Sequence, residues 1–257
     1  MELVTYQTSD RIGYITLNRP EKRNALSAQL VSALKEIFQA AEKDELAKVL
    51  VLKAEGEAFC AGADLAYLQE LQHYSYEENL ADSNHLKDLF LTIYTLKKVV
   101  IAQVQGAALA GGCGLATVCD FTVASAMAKF GYTEVKIGFI PAIVSLFLIR
   151  KLGEGKAKQL LLSGELMPAE EAARFGLINR VVEPQALDRE VRQLATKLIQ
   201  NNSAESMALT KKLIAEVQGL SLMDGLSLAS AMNAQARSTE DCKKGIAAFL
   251  SKSELKW

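Results

Sequence analysis

Two features of this chain could do chemistry: a glycine-rich run and a glutamate that follows it. Residues 105–120 read Gln-Gly-Ala-Ala-Leu-Ala-Gly-Gly-Cys-Gly-Leu-Ala-Thr-Val-Cys-Asp. The apolar run 99–104 before them has the pattern of a buried strand, and from about Gly112 small and aliphatic residues suit a buried helix. A strand, glycines and a helix start aim free backbone N–H groups at one point and add the positive end of the helix dipole. Such a point holds an anion. A phosphate loop would need a lysine directly after its last glycine, and Gly-x-Gly-x-x-Gly is absent, so neither phosphate motif applies. Two readings remain. The N–H groups form part of an oxyanion hole, or the small residues only let a helix pack tightly on a sheet.

Glu134 lies in the 130–141 segment beside Tyr132, Val135 and Ile137. A carboxylate among such neighbours loses water, and its pKa rises toward the range useful in acid–base chemistry. The alternative is a surface acid paired with Lys136. A second candidate donor segment is Phe59-Cys-Ala-Gly-Ala-Asp-Leu65, again small residues between a strand and a helix start. A two-donor oxyanion hole needs two such elements.

The elements that must position these groups are readable in outline. Strands are expected around 3–6, 14–17, 49–52, 99–104, 119–124 and 177–182. Ser27 should cap a helix with Leu30, Leu34, Ile37, Phe38 and Ala41 on one face. Residues 68–96 read as helix around a loop near Tyr74 and Tyr76, and 130–141 as a loop. Helices at 143–151 and 156–162 are expected to be broken by Gly153 and Gly155, and a short one at 168–175 to stop at Gly176. From Pro184 onwards only helices are expected, starting near 187, 204, 221 and 239.

Composition narrows the classes. The 257 residues can bury a large core, and 29 basic against 30 acidic residues give a net charge of −1. No polyanion-binding surface is suggested, so nucleic acid is not an expected partner. Cys60, Cys113, Cys119 and Cys242 contain no Cys-x-x-Cys pair. His73 and His85 fall on one helical stretch and read as solvated, so no metal site is expected. The start, Met-Glu-Leu-Val-Thr-Tyr, has no signal-peptide character, and the longest apolar run (137–149) is too short to span a bilayer. A soluble, cytoplasmic protein is expected.

Six segments, 19–26, 59–65, 106–120, 130–141, 176–182 and 245–250, occur in an order that resembles the crotonase family, the enoyl-CoA hydratases and isomerases. The resemblance covers essentially the whole chain. It implies an α/β fold, a spiral of repeated strand–strand–helix units over residues 1–200 with a helical trimerisation region over 201–257. It also implies trimers or pairs of trimers, an acyl-CoA thioester substrate, and no cofactor beyond the CoA that the substrate carries. Residue by residue, Ala63 and Gly111 match the two oxyanion N–H donors, and Glu134 the acid that handles the proton. Lys22 and Arg23 match positions near the CoA phosphates, although the same pair reads equally as a solvated turn. Ala61, Asp64 and Leu65 match the adenine side. Phe249 and Lys252 match positions that reach CoA on a neighbouring subunit, or are a packed aromatic and a solvated lysine.

The chain departs from the two-glutamate pattern at Gly114, where many relatives carry the second acid. A glycine there is expected to leave room for a branched or carboxylated acyl chain, or for a water. Pro141-Ala-Ile-Val-Ser145 stands where many relatives are glycine-rich, making that wall bulkier and more apolar. The resemblance implies hydration of a 2-enoyl-CoA, and the run 131–142 looks most like bacterial enoyl-CoA or methylglutaconyl-CoA hydratases, although two-glutamate hydratases of the latter kind match less well at Gly114. The alternatives are a 3,2-enoyl-CoA isomerase using one glutamate, and a non-catalytic acyl-CoA-binding subunit.

Overall fold

The structure, a computed structural model, describes residues 2–257. The first half runs β1 (Val4–Ser9), β2 (Ile12–Leu17), α1 (Ala28–Lys43), β3 (Val49–Ala54), α2 (Leu65–Leu71), α3 (Tyr76–Thr95) and β4 (Val99–Val104). Then come β5 (Ala108–Leu109), α4 (Gly111–Val118), β6 (Phe121–Ser125), β7 (Lys129–Gly131) and a 3-10 turn at Glu134–Ile137. The remainder is α5 (Ala142–Leu152), α6 (Glu154–Ser163), β8 (Met167–Pro168), α7 (Ala169–Phe175), β9 (Arg180–Val182), α8 (Leu187–Asn201), α9 (Ala204–Val217), α10 (Leu222–Ser238) and α11 (Glu240–Ser251).

Six strands form one sheet in the order β1-β2-β3-β4-β6-β9, parallel except for the β1–β2 hairpin. Parallel pairing needs crossovers, and helices on both faces bury the strands; hence their nearly unbroken Val/Ile/Leu composition. Alternation splits each strand between two cores. Leu50 and Leu52 join Leu30, Leu34, Phe38 and Phe90 on one face. Val49 and Val51 meet Val191, Ala195 and Ile199 of α8 on the other.

A second, smaller sheet carries the site. Its order is β5-β7-β8, with Leu109 opposite Gly131, and Cys60 bridges to Ala108 beside it. The fold is therefore mixed α/β with a helical carboxy-terminal region, α8 to α11.

Some local expectations shift. Gly155 does not break a helix: it is the second residue of α6, where an N–H has no intrahelical partner anyway. Residues 177–179 are a turn rather than strand, because Leu177 N–H bonds Ala172 O at 2.9 Å and Asn179 Oδ1 accepts Thr122 N–H at 2.7 Å. Segment 130–141 is more than a loop, since it holds β7 and the 3-10 turn. His73 and His85 do not share a helix. His73 sits in an exposed turn, and His85, on α3, bonds Ser32 at 2.9 Å and Lys35 at 3.2 Å.

The carboxy-terminal helices are tied to the core through a buried cation. Lys211 of α9 donates to Ile93 O and Lys98 O, both at 3.1 Å, and to Asp120 Oδ2 at 2.7 Å. Removing one member of a buried pair strands the other charge. Lys211→Met should therefore lower unfolding free energy by about 3 kcal/mol in urea titration, and adding Asp120→Asn should recover much of it.

Candidate active site

Three segments lie side by side. Cys60 bridges to Ala108, and 108–109 pair with 130–131, leading directly to Glu134. Cys60 N–H bonds Ala107 O at 3.1 Å, Leu109 N–H bonds Cys60 O at 2.9 Å, and Ala110 N–H bonds Gly131 O at 2.7 Å. Close approach is built in. A Cβ on Gly112 would overlap Cys60 O, and one on Gly62 (φ +93°) would meet Ala110 Cβ at 2.9 Å.

This pairing leaves particular N–H groups free. Leu26 N–H bonds Gly62 O at 2.7 Å and Asp64 N–H bonds Leu26 O at 2.8 Å, so Ala63, between them, turns its own N–H the other way. Among the described residues neither Ala63 nor Gly111 N–H has a backbone or side-chain acceptor. Leu26 touches both segments: it bridges to Ala63, and its Cδ1 lies 3.0 Å from where a Gly111 Cβ would stand. Ala110, at φ 50° and ψ −125°, makes the sharp entry into α4. Strain of this kind costs on the order of 1–3 kcal/mol and persists only where surroundings impose it.

α4 is buried from Gly112 to Val118, so each of its carboxy-terminal carbonyls needs a partner. Thr117 Oγ1 donates to Gly114 O at 3.1 Å, Cys119 Sγ to Leu115 O at 3.3 Å, Thr122 Oγ1 to Ala116 O at 2.9 Å and Lys151 Nζ to Thr117 O at 3.1 Å. The lysine also opposes the negative end of the dipole. Burial pushes the Lys151 pKa down, against the pull of Cys119 and Asp120.

Glu134 opens the 3-10 turn and is only 9% exposed. Its Oε2 is buried with no hydrogen-bond partner, the one such side-chain atom among the described residues. Desolvation raises its pKa, opposed only by its own backbone N–H. Lys136 does not pair with it but lies along Gly164. This geometry suits a proton carrier and not a surface ion pair.

At Gly114 the expectation of spare room is overturned. A Cβ there would overlap Val144 and come within 2.9 Å of Phe90 Cε1. The place of a second side chain is filled from α5, so neither an acyl branch nor a water occupies it. Val144, within the Pro141–Ser145 segment, thus makes that wall apolar.

The remaining candidates lie at varied depths. Asp64 caps α2 through Ala66 N–H at 2.9 Å and pairs with Arg19 at 2.8 Å. Burial works against its charge, but these bonds outweigh it and hold its pKa below the ordinary value. Lys22 and Arg23 are exposed, and Arg23 O accepts Ala61 N–H at 3.0 Å, joining this turn to the first donor segment. Leu65 (77%) and Phe249 (84%) are exposed, and Lys252 ends α11. Sequence reading missed Lys151, and it placed Arg19 and Val144 only within segments, without the Asp64 pair or the packing on Gly114 that they make. A concavity of about 810 Å³ opens elsewhere, between Lys48, Lys98 and Lys212, and is lined by none of the site residues.

The comparisons with known proteins agree with this architecture. The family model described as "Enoyl-CoA hydratase/isomerase" matches residues 7–257. The chain belongs to the enoyl-CoA hydratase/isomerase, or crotonase, family. It is 43% identical to a Thermus thermophilus protein named "Putative enoyl-CoA hydratase", over 94% of this chain and 95% of that one. It is 33% identical to the "Crotonyl-CoA hydratase" of Syntrophomonas wolfei, over 98% and 96%. The enoyl-CoA hydratase structure from Mycobacterium smegmatis superposes with a TM-score of 0.92 at 33% identity, covering 99% of this chain and 98% of that one. Enoyl-CoA hydratases are lyases, and the relatives so named are of that type. Among the described residues no helix is long and apolar enough to cross a membrane.

Two outcomes follow for this family member's site. Gly114→Ala should destabilise by about 1–3 kcal/mol through overlap with Val144, and Val144→Ala in the same chain should restore much of it, read by chemical denaturation. A carboxyl whose folded pKa is raised binds its proton more tightly in the native state, so stability falls as pH rises through that interval. Glu134→Gln should therefore melt higher than the parent at pH 7–8, with the gap closing below about pH 4.5.

Proposed function

We propose that this enzyme adds water to a 2-enoyl-CoA, with Glu134 as its single acid–base group. The observation that carries this reading is the buried, unpartnered Oε2 of Glu134 on the turn that follows β7, whose partner β5 leads to the free Gly111 N–H. The thioester oxygen accepts hydrogen bonds from Ala63 and Gly111, and the start of α4 adds its dipole. Glu134 takes a proton from water as the water oxygen bonds to C3. The electrons of the double bond move toward the thioester oxygen as an enolate, and Glu134 returns the proton to C2. One carboxylate thus cycles one proton, and the filled space at Gly114 is consistent with there being no second acid. Each oxyanion donor supplies about 2.7–4 kcal/mol of transition-state stabilisation.

Lys22 and Arg23 are read as partners of the CoA phosphates, and Ala61, Asp64 and Leu65 as the wall near adenine. Asp64 acts there chiefly through its Arg19 pair. The exposed apolar residues of α10 and α11, among them Leu222, Met223, Phe249 and Leu250, support assembly into a homotrimer or dimer of trimers. In that assembly Phe249 and Lys252 would reach a neighbouring subunit's CoA. The apolar wall at Val144 and Phe90 leaves no polar group at Gly114 for a substrate carboxylate, which favours an uncharged acyl chain over a methylglutaconyl-like one.

A second reading rests on the same single carboxylate, since moving a double bond from C3 to C2 needs only one base. Crotonyl-CoA losing its conjugated absorbance on mixing supports hydration; a 3-enoyl-CoA gaining it, with crotonyl-CoA unchanged, supports isomerisation. Tight binding of both with no change would leave an acyl-CoA-binding subunit. Glu134→Gln should lower kcat by at least about 10³-fold while leaving thioester binding within a few-fold. Retained kcat would remove Glu134 from the reaction.

A further inference from the structure

We propose that Tyr132 is a positioning residue, whose hydroxyl bond to Thr117 braces the Glu134 turn against α4 and so sets the carboxylate relative to the Gly111 N–H. The inference rests on the reading of Glu134 as the proton carrier.

Tyr132 stands two residues before Glu134, is 0% exposed and heads the largest fully buried side chains. Its hydroxyl lies 2.9 Å from Thr117 Oγ1. Thr117 Oγ1 also lies 3.1 Å from Gly114 O, and either hydroxyl can donate in the Tyr132–Thr117 bond. The Cys113 thiol, one turn back on α4, lies against the same hydroxyl. A ring that meets no solvent does not touch substrate. Burial also pushes its pKa far up, which keeps the hydroxyl neutral.

The attachment has two points. The backbone of Gly131 holds the entry to α4 through Ala110 N–H, and the Tyr132 side chain holds the carboxy-terminal end of the same helix through Thr117. One point alone would let the turn pivot about it. Two points fix its orientation along the helix whose first N–H is the proposed oxyanion donor. A buried polar pair contributes little net stability compared with an apolar substitute, but it tolerates only one geometry.

Misplacing a catalytic group by about 1 Å costs on the order of 10²-fold in rate. In the full-length enzyme Tyr132→Phe should lower kcat on crotonyl-CoA by about ten- to hundredfold, with KM within about threefold. A loosened carboxylate regains water, so the acid limb of its kcat/KM profile should move to lower pH. Thr117→Val should behave alike, Thr117→Ser should keep near-parent kcat, and the Tyr132→Phe/Thr117→Val double variant should be no worse than either single one. If Tyr132→Phe does not fold, the contrast between Thr117→Val and Thr117→Ser decides. A Tyr132→Phe enzyme within about twofold of parent kcat and with its acid limb unmoved, or a Thr117→Ser as impaired as Thr117→Val, would overturn the brace. Glu134→Gln run alongside separates the two ideas: if it is inactive while Tyr132→Phe is fully active, only the brace falls. If Glu134→Gln is active, the reading beneath it falls.

Discussion

The site depends on one constraint, that α4 is a buried helix with unequal ends. Four carbonyls at its carboxy-terminal end find partners in Thr117, Cys119, Thr122 and Lys151. At its amino-terminal end the Gly111 N–H finds none. A buried carbonyl without a partner would cost about 1–3 kcal/mol, so the closed end is a condition for burying the helix at all. The open end is then the place where a ligand oxygen can be received with nothing to displace.

Convergence of the second donor follows from the smaller sheet. Ala63 and Gly111 come from crossovers far apart in the chain, yet the bridges Leu26–Ala63 and Cys60–Ala108 set their segments side by side. Gly62 and Gly112 allow this because the opposing backbone and Ala110 occupy the space a Cβ would need. The same sheet delivers Glu134, since β7 pairs with β5 and ends three residues before it.

Glu134 is held at a cost to the fold. A carboxylate out of water with one oxygen unpartnered weakens the native state at neutral pH, relieved only by its own backbone N–H. Its counterpart is Gly114, where packing went the other way: Val144 fills the space with methyl groups. In the proposed reaction this single acid takes and returns one proton.

Sequence alone determined the features that depend on near neighbours in the chain. Apolar runs marked β3 and β4, Ser27 marked the start of α1, and positive-φ glycines marked the ends of α5 and α7. Local pattern also marked the 59–65 and 105–120 segments and the acid Glu134 among apolar residues, and the family resemblance narrowed the donors to Ala63 and Gly111. Tertiary structure alone decided what meets what. Whether Gly114 leaves a hole depends on Val144, thirty residues on in a different helix, and no local pattern encodes that contact. Lys136 beside Glu134 suggested an ion pair, but side chains adjacent in a 3-10 turn point apart, and Lys136 packs on Gly164. Lys151, Lys211 and Arg19 are ordinary surface residues by composition. They become partners of Thr117 O, Asp120 and Asp64 because packing brings those groups against them, Lys211 being buried and the other two partly so.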